Sequence, residues 1–307
     1  MIKVSYQQIM DNLSQLFRHN YLVLKSNAYG FGFEKIYQLA ESLGFYKYAV
    51  ITLDDAIYIK KKNPKNRVLL MGVFDESKID IFQKYDIEIT INHFKEIEKI
   101  RHHPIKVQIA INTGMNRFGI KPFEVESLFK VISNSKVLVA GIYSHSARNF
   151  DGEYKIFKEL TSNYLLEKHF AASYKKSKDT RRIGVEIYEN ALGIYGRIIK
   201  VNYVKKGDYV GYGYHYQMND DGYIGIIDIG YADGLERKCN GFKVFIKDNF
   251  YELVGFACMN HTFVLLPSDN FLDDEVEFIG KNNSIDNYVN FFDTIKHQIY
   301  TSFLKKD

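Results

Sequence analysis

Covalent cross-links have almost no place in this chain: its 307 residues include two cysteines, Cys239 and Cys258. Two thiols make no disulfide framework, which agrees with a reducing compartment, so the expected location is the cytoplasm. Equally missing is any run near the roughly 18 apolar residues of a spanning helix. The N-terminal MIKVSYQQIMDNL also lacks the apolar core of a secretory signal, and no membrane partner is expected. Positive charge is not concentrated. The formal +4 comes from 41 basic against 37 acidic residues. Lys60 to Lys62 and Lys205–Lys206 are short runs without a recognition motif, so nucleic acid is not an expected partner. That balance permits a mild attraction for anionic substrates or a phosphate-bearing cofactor. Internal repeats and low-complexity segments are absent.

What is present is alternation. After the apolar run Tyr21 to Leu24 comes FEKIYQLAESLG, with Phe33, Ile36, Tyr37, Ala40 and Leu43 at helical spacing and Gly44 placed for a left-handed terminus. Tyr48–Ile51, Arg67–Gly72, Ile87–Ile91, Lys106–Ile111 and Val137–Ser146 read as further strands, each followed by turn residues and a helix-like segment. Thr52 is placed to cap a helix with Asp55 three residues on, and Pro122 suits a first helical turn. Leu166–Ser173 and Arg181–Tyr188 are the seventh and eighth strand candidates. Eight strands separated by helices over about 190 residues predict an α/β fold, a compact (β/α)₈ barrel, with a doubly wound sheet as the alternative. No GxGxxG follows the first strand, which counts against the dinucleotide-binding form of that alternative. Past Asn190 the runs become short and rich in β-branched and aromatic residues, separated by Gly, Asn and Asp. The expected division is therefore a barrel over 1–191 and an all-β domain over 192–307.

The stretch YLVLKSNAYGFG concentrates the chemistry. Lys25 closes the first barrel strand, where loops of such barrels converge on one face. In a partly apolar mouth a lysine pKa falls enough for nucleophilic or Schiff-base chemistry, while the plain alternative is a lysine snorkelling from a strand end.

Seven motifs in order then resemble the fold-type III, pyridoxal-phosphate-dependent alanine racemases. They are Lys25 with Asn27, Ala28, Tyr29 and Gly30; NTGMNRFG at Asn112–Gly119; GIYSHSA at Gly141–Ala147; RIGVEIY at Arg182–Tyr188; GDYVGYGYHY at Gly207–Tyr216; IGYADGLER at Ile229–Arg237; and ACMNH at Ala257–His261. The resemblance implies a PLP cofactor held as a Schiff base by Lys25, and no metal. It implies a second acid/base group, Tyr212, brought from the other subunit of a homodimer with a composite site. Inversion at Cα needs groups on both faces of the substrate, and a tyrosine, ordinarily near pKa 10, needs positive neighbours to act as a base. By the same resemblance Arg182 faces the pyridine nitrogen and His145 packs near the ring, linking that arginine to the tyrosine. Tyr29, Ser173 and the backbone N–H groups of Gly184 and Val185 hold phosphate. Arg117 meets the substrate carboxylate or the cofactor phenolate, the Met259 N–H meets the carboxylate from the other subunit, and Tyr231 lines the entrance. The implied substrate is a small amino acid, alanine first. Serine or another small amino acid, and a PLP-binding homeostasis or regulatory protein with little turnover, are the alternatives. Four positions depart from the family pattern: Ala110 stands where a lysine is usual, Ala172 where an asparagine is, Asn260 for an aspartate, and His297 for a phosphate-binding tyrosine.

Overall fold

A computed structural model describes residues 1–172 and 182–304. The chain divides into two compact units, one of Leu13–Ala28 and Gly32–Ile187, the other of Met1–Asn12, Tyr29–Phe31 and Tyr188–Asp307. The N-terminus goes with the second unit because β1 (Ile2–Val4) pairs antiparallel with β10 (Leu192–Val204), Ile2 opposite Ile194.

The first unit is a nearly closed parallel barrel. Its strands are β2 (Tyr21–Val23), β3 (Lys47–Val50), β4 (Arg67–Leu70), β5 (Glu88–Ile91), β6 (Lys106–Ala110), β7 (Leu138–His145), β8 (Glu167–Ala171) and β9 (Arg182–Ile183). They lie in the order β8-β7-β6-β5-β4-β3-β2-β9. All of β3 and β5 is buried, as strands covered on both faces must be. The outer helices follow the expected signals. Phe33–Ser42 buries Phe33, Ile36, Tyr37 and Ala40, and Leu53–Lys62 starts at Thr52, whose side chain accepts the Asp55 N–H at 3.2 Å. Pro122 opens a short 3₁₀ turn that leads into the helix Val125–Ile132. The expected eighth strand shortens to Arg182–Ile183, because Val185–Tyr188 coils into a 3₁₀ turn.

The second unit is an antiparallel barrel of seven strands: β1, β10, β11 (Gly222–Ile227), β12 (Lys243–Ile246), β13 (Asn249–Val254), β14 (Thr262–Leu266) and β15 (Glu275–Ile279). The 13-residue β10 anchors it, pairing with β1, β11 and β15 and absorbing a register shift between Ile198 and Lys200. The region expected to be all β also carries two helices, Ile285–Phe292 and Lys296–Phe303. The first of them buries Tyr288 against Phe242, ring centroids 5.3 Å apart, so aromatic residues of high strand propensity are held helical by packing. Among the described residues no helix is long and apolar enough to cross a membrane.

Candidate active site

Lys25 directly follows Leu24, whose N–H bonds the Ala49 carbonyl and so extends the β2–β3 ladder. After it the backbone does something L-residues resist: Ser26, Asn27, Ala28 and Tyr29 all have φ between 52° and 58°. A run of left-handed residues costs about 1–2 kcal/mol each. Asn27 offsets part of this by accepting Phe33 N–H on its side chain at 2.7 Å and Gly32 N–H on its carbonyl at 3.1 Å. The turn fixes the direction in which the chain leaves Lys25 and gives that lysine little freedom to swing away.

In the barrel unit Lys25 shares its surroundings with Arg117, His145 and Arg182. Burial first, then the charges of Arg117 and Arg182, hold its pKa below the ordinary 10.5. His145, at the end of β7, is pushed down to about 3 by burial and by the charges of Arg182, Arg117 and Lys25, so it is neutral at pH 7. Arg182 is drawn down to about 10, chiefly by burial. That leaves it cationic at neutrality, on the strand Arg182–Ile183 of the barrel. Its guanidinium donates to the Ser144 carbonyl at 3.0 Å and to His169 Nδ1 at 2.8 Å, lies 3.5 Å from His145 Nδ1, and stands over the Tyr143 ring at 4.4 Å. Arg117 is exposed, and among the described residues no carboxylate lies within ion-pair distance of it. Ala110 is buried on β6, with nothing on its methyl to replace the usual lysine.

Gly184 is buried, but its N–H is already taken, by Glu186 Oε2 at 3.0 Å. Ser173 lies outside the described residues, and Ala172 just before it is half-buried.

The second unit carries the other expected residues. Tyr29 is buried, with Tyr188 at 5.5 Å and His297 edge-on at 5.5 Å, so His297 does stand beside the tyrosine assigned to phosphate. Among the described residues the buried Tyr188 hydroxyl has no hydrogen-bond partner. Tyr212 sits in a turn between Gly211 (φ 75°) and Gly213 (φ 77°). Tyr231 and Met259 are neighbours: Tyr231 N–H bonds the Cys258 carbonyl and Ala232 N–H bonds the Met259 carbonyl, each at 3.0 Å. Gly230 is required there, since a Cβ would collide with both carbonyl oxygens. Tyr212, Tyr231 and Met259 are 75%, 42% and 56% exposed.

Gln108 and His169 lie outside the seven motifs, and Tyr143 and Glu186 lie inside two of them without an assigned role. For Gln108 the available signal was a polar residue between apolar neighbours in KVQIA, whereas His169 follows two charged residues in EKHFA and gave no such contrast. Neither side chain has a partner within its own strand to give it away.

Family models place the chain. The model described as alanine racemase, N-terminal domain, matches residues 3–197, and the C-terminal domain model matches residues 191–306. Alanine racemase of Streptococcus equi subsp. equi is 26% identical, over 91% of this chain and 88% of the relative. That of Ligilactobacillus salivarius is 26% identical over 93% and 89%. Among solved structures, alanine racemase from Bartonella henselae with covalently bound pyridoxal phosphate superposes with a TM-score of 0.88 at 23% identity, covering 99% of this chain and 97% of that one. A histidine racemase from Leuconostoc mesenteroides gives 0.78 at 20% identity, covering 98% and 95%, so the fold alone does not choose the substrate. With both domain models matched in order along almost its whole length, the chain belongs to the alanine racemase family.

Proposed function

We propose that this protein is a pyridoxal 5'-phosphate-dependent racemase interconverting L- and D-alanine by two-base proton transfer, working as a homodimer. The observation that carries the reading is the setting of Lys25: a half-buried amine whose pKa is lowered by burial and by two guanidinium groups, in a barrel mouth that also holds a neutral histidine. Such an amine is the nucleophile an aldehyde requires, and the surrounding positive charge suits an anionic cofactor. The Tyr188 hydroxyl beside Tyr29, without a partner among the described residues, fits the same group, because a phosphate accepts hydrogen bonds.

When bound, the cofactor's ring takes up the electron pair left at Cα. The rest falls to the protein. Lys25 holds the cofactor and moves the proton on one face of Cα. Arg182, cationic at neutral pH, would face the ring nitrogen and donate to it without giving up its own proton. His145 packs near the ring. Tyr29, Ser173, Gly184 and Val185 hold the phosphate, with Glu186 leaving the Gly184 N–H. Arg117, free of any internal carboxylate among the described residues, meets the substrate carboxylate together with the Met259 N–H, and Tyr231 lines the entrance. Tyr212 moves the proton on the opposite face and comes from the partner subunit. Its exposure, with that of Tyr231 and Met259, supports a surface that a second copy covers.

Exchange of the α-hydrogen with solvent deuterium, read by NMR for each enantiomer separately, tests the two-base assignment. Tyr212→Phe should slow exchange from L-alanine by about 10² to 10⁴, while D-alanine keeps a measurable rate through Lys25. Wild-type exchange of both enantiomers would make Tyr212 a packing residue. Loss of D-alanine exchange alone would reverse the two faces.

A further inference from the structure

The barrel interior holds a charged cluster that the proposed reaction does not use. Lys47, Arg67, Glu88 and Glu167 are the first residues of β3, β4, β5 and β8. Arg67 bridges the two carboxylates, Nε to Glu88 at 2.7 Å and NH1 to Glu167 at 2.7 Å, and Lys47 also pairs with Glu167. Gln108, fully buried on β6, donates both amide hydrogens into this cluster, one to the Tyr21 hydroxyl at 2.8 Å and one to Glu88 Oε2. Its carbonyl oxygen meets His169 Nε2 at 2.5 Å, and His169 Nδ1 meets Arg182 NH1 at 2.8 Å.

The direction of every bond in this chain is forced. An ion-paired carboxylate only accepts, and an arginine only donates. Gln108 must therefore turn its N–H groups to Glu88 and its oxygen to His169. His169 must carry its proton on Nε2 and present a bare Nδ1 to Arg182. A flipped Gln108 would set its oxygen against the carboxylate and demand the other tautomer, which would point an imidazole N–H at the guanidinium. We infer that Gln108 is a positioning residue of the reaction: through His169 it ties Arg182 to the carboxylate pair at the far end of the barrel and fixes the guanidinium's orientation. Each link donates toward the buried negative charge, so the bonds polarise one another. With NH1 on His169 and NH2 on Ser144, Arg182 cannot rotate without losing both. Burial and the nearby Arg182, Lys47 and Arg67 keep His169 neutral, as the arrangement requires.

The inference rests on the proposed role of Arg182 at the cofactor ring, so its test includes a measurement on cofactor-free protein. In ¹⁵N NMR of the full chain, Arg182 should show separate, slowly exchanging Nη signals, and His169 a protonated Nε2. Gln108→Met and His169→Asn, the latter keeping an acceptor near Nδ1 but cutting the link to Gln108, should both merge the Arg182 signals. In the loaded enzyme both should lower kcat about five- to tenfold at nearly constant KM, the rate equivalent of one net hydrogen bond. Gln108→Glu, which when protonated can donate to Glu88 and accept from His169, should restore both readouts. If His169→Asn keeps wild-type Arg182 signals and kcat, the chain beyond His169 positions nothing and the inference falls. It falls equally if the signals merge while kcat is unchanged. Should Gln108→Met fail to fold, His169→Asn still decides. A wild-type protein that shows the locked arginine but no racemisation would overturn the activity and leave the positioning in place.

Discussion

The two units hold their candidate functional groups in opposite ways. In the barrel unit they are wired in: Arg182 has partners on β7 and β8, His145 is stripped of its proton by burial, and the left-handed turn after Lys25 is pinned by Asn27. In the β unit Tyr212 and Tyr231 stand in glycine-bounded turns, and these two with Met259 are exposed to solvent. One unit holds its groups by bonds within a single chain, whereas the other leaves Tyr212, Tyr231 and Met259 exposed, the arrangement that the proposed homodimer would complete. The proposed two-base reaction, which needs protons on two opposite faces of one carbon, has a use for both kinds of group.

The strongest attack on that contrast is to separate the two kinds of residue between chains. Lys25→Ala and Tyr212→Phe homodimers should each be inactive in racemisation. Mixed so that heterodimers form, they should recover up to one working site per dimer, from nothing to a readily measured rate. Absence of complementation in heterodimers verified by mass would place Lys25 and Tyr212 in service of the same chain, and the contrast between wired-in and exposed groups would lose its meaning.

How much of this was readable beforehand follows the same line. The barrel strands were legible because their apolar runs are short, evenly spaced and bounded by turn residues, and because cap residues such as Thr52 act locally. Lys25 was legible from its position at a strand end, and most other site residues only through the family resemblance. Gln108 and His169 were not, because a polar residue in a strand becomes meaningful only when the barrel curls to bring Tyr21 of β2 across to Gln108 of β6. The helix Ile285–Phe292 was missed for the complementary reason. Its sequence, IDNYVNFF, favours a strand locally, and burial of Tyr288 among Phe242, Phe292 and Phe303 decides otherwise.

A second measurement sharpens the contrast through acid stability. His145 has a folded pKa near 3 against an ordinary 6.5, and His169 is lowered in the same direction. Between those values the unfolded chain binds the protons that the folded chain refuses, so stability falls as pH drops from about 6.5 toward 3. In cofactor-free protein, His145→Gln should flatten the pH dependence of the melting temperature across that window. An unchanged slope would mean that His145 is solvated and not wired into the barrel.

The smallest predicted effect concerns a group the barrel unit has satisfied too well. Gly184 N–H, assigned to the cofactor phosphate, is held by the carboxylate of Glu186 at 3.0 Å. A phosphate arriving there must displace that carboxylate and then coexist with its charge nearby. Two unit charges about 4 Å apart repel by ~4 kcal/mol at an effective dielectric of 20, and solvent screening reduces this at a half-buried side chain. Glu186→Gln keeps an oxygen able to accept from Gly184 but removes the charge. It should therefore tighten pyridoxal 5'-phosphate binding by about tenfold, close to 1.4 kcal/mol, when cofactor-free protein is titrated and followed by absorbance. Pyridoxal, which has no phosphate, is the control and should bind both proteins alike. Equal tightening of both ligands would show that Glu186 acts on the aldehyde end and that Gly184 does not meet the phosphate. Weaker binding of both would make Glu186 a structural cap of the Val185–Tyr188 turn, with the charge of no consequence. Tightening confined to the phosphorylated ligand would show that the barrel unit, unlike the β unit with its exposed tyrosines, guards the cofactor site with an internal anion that the cofactor has to replace.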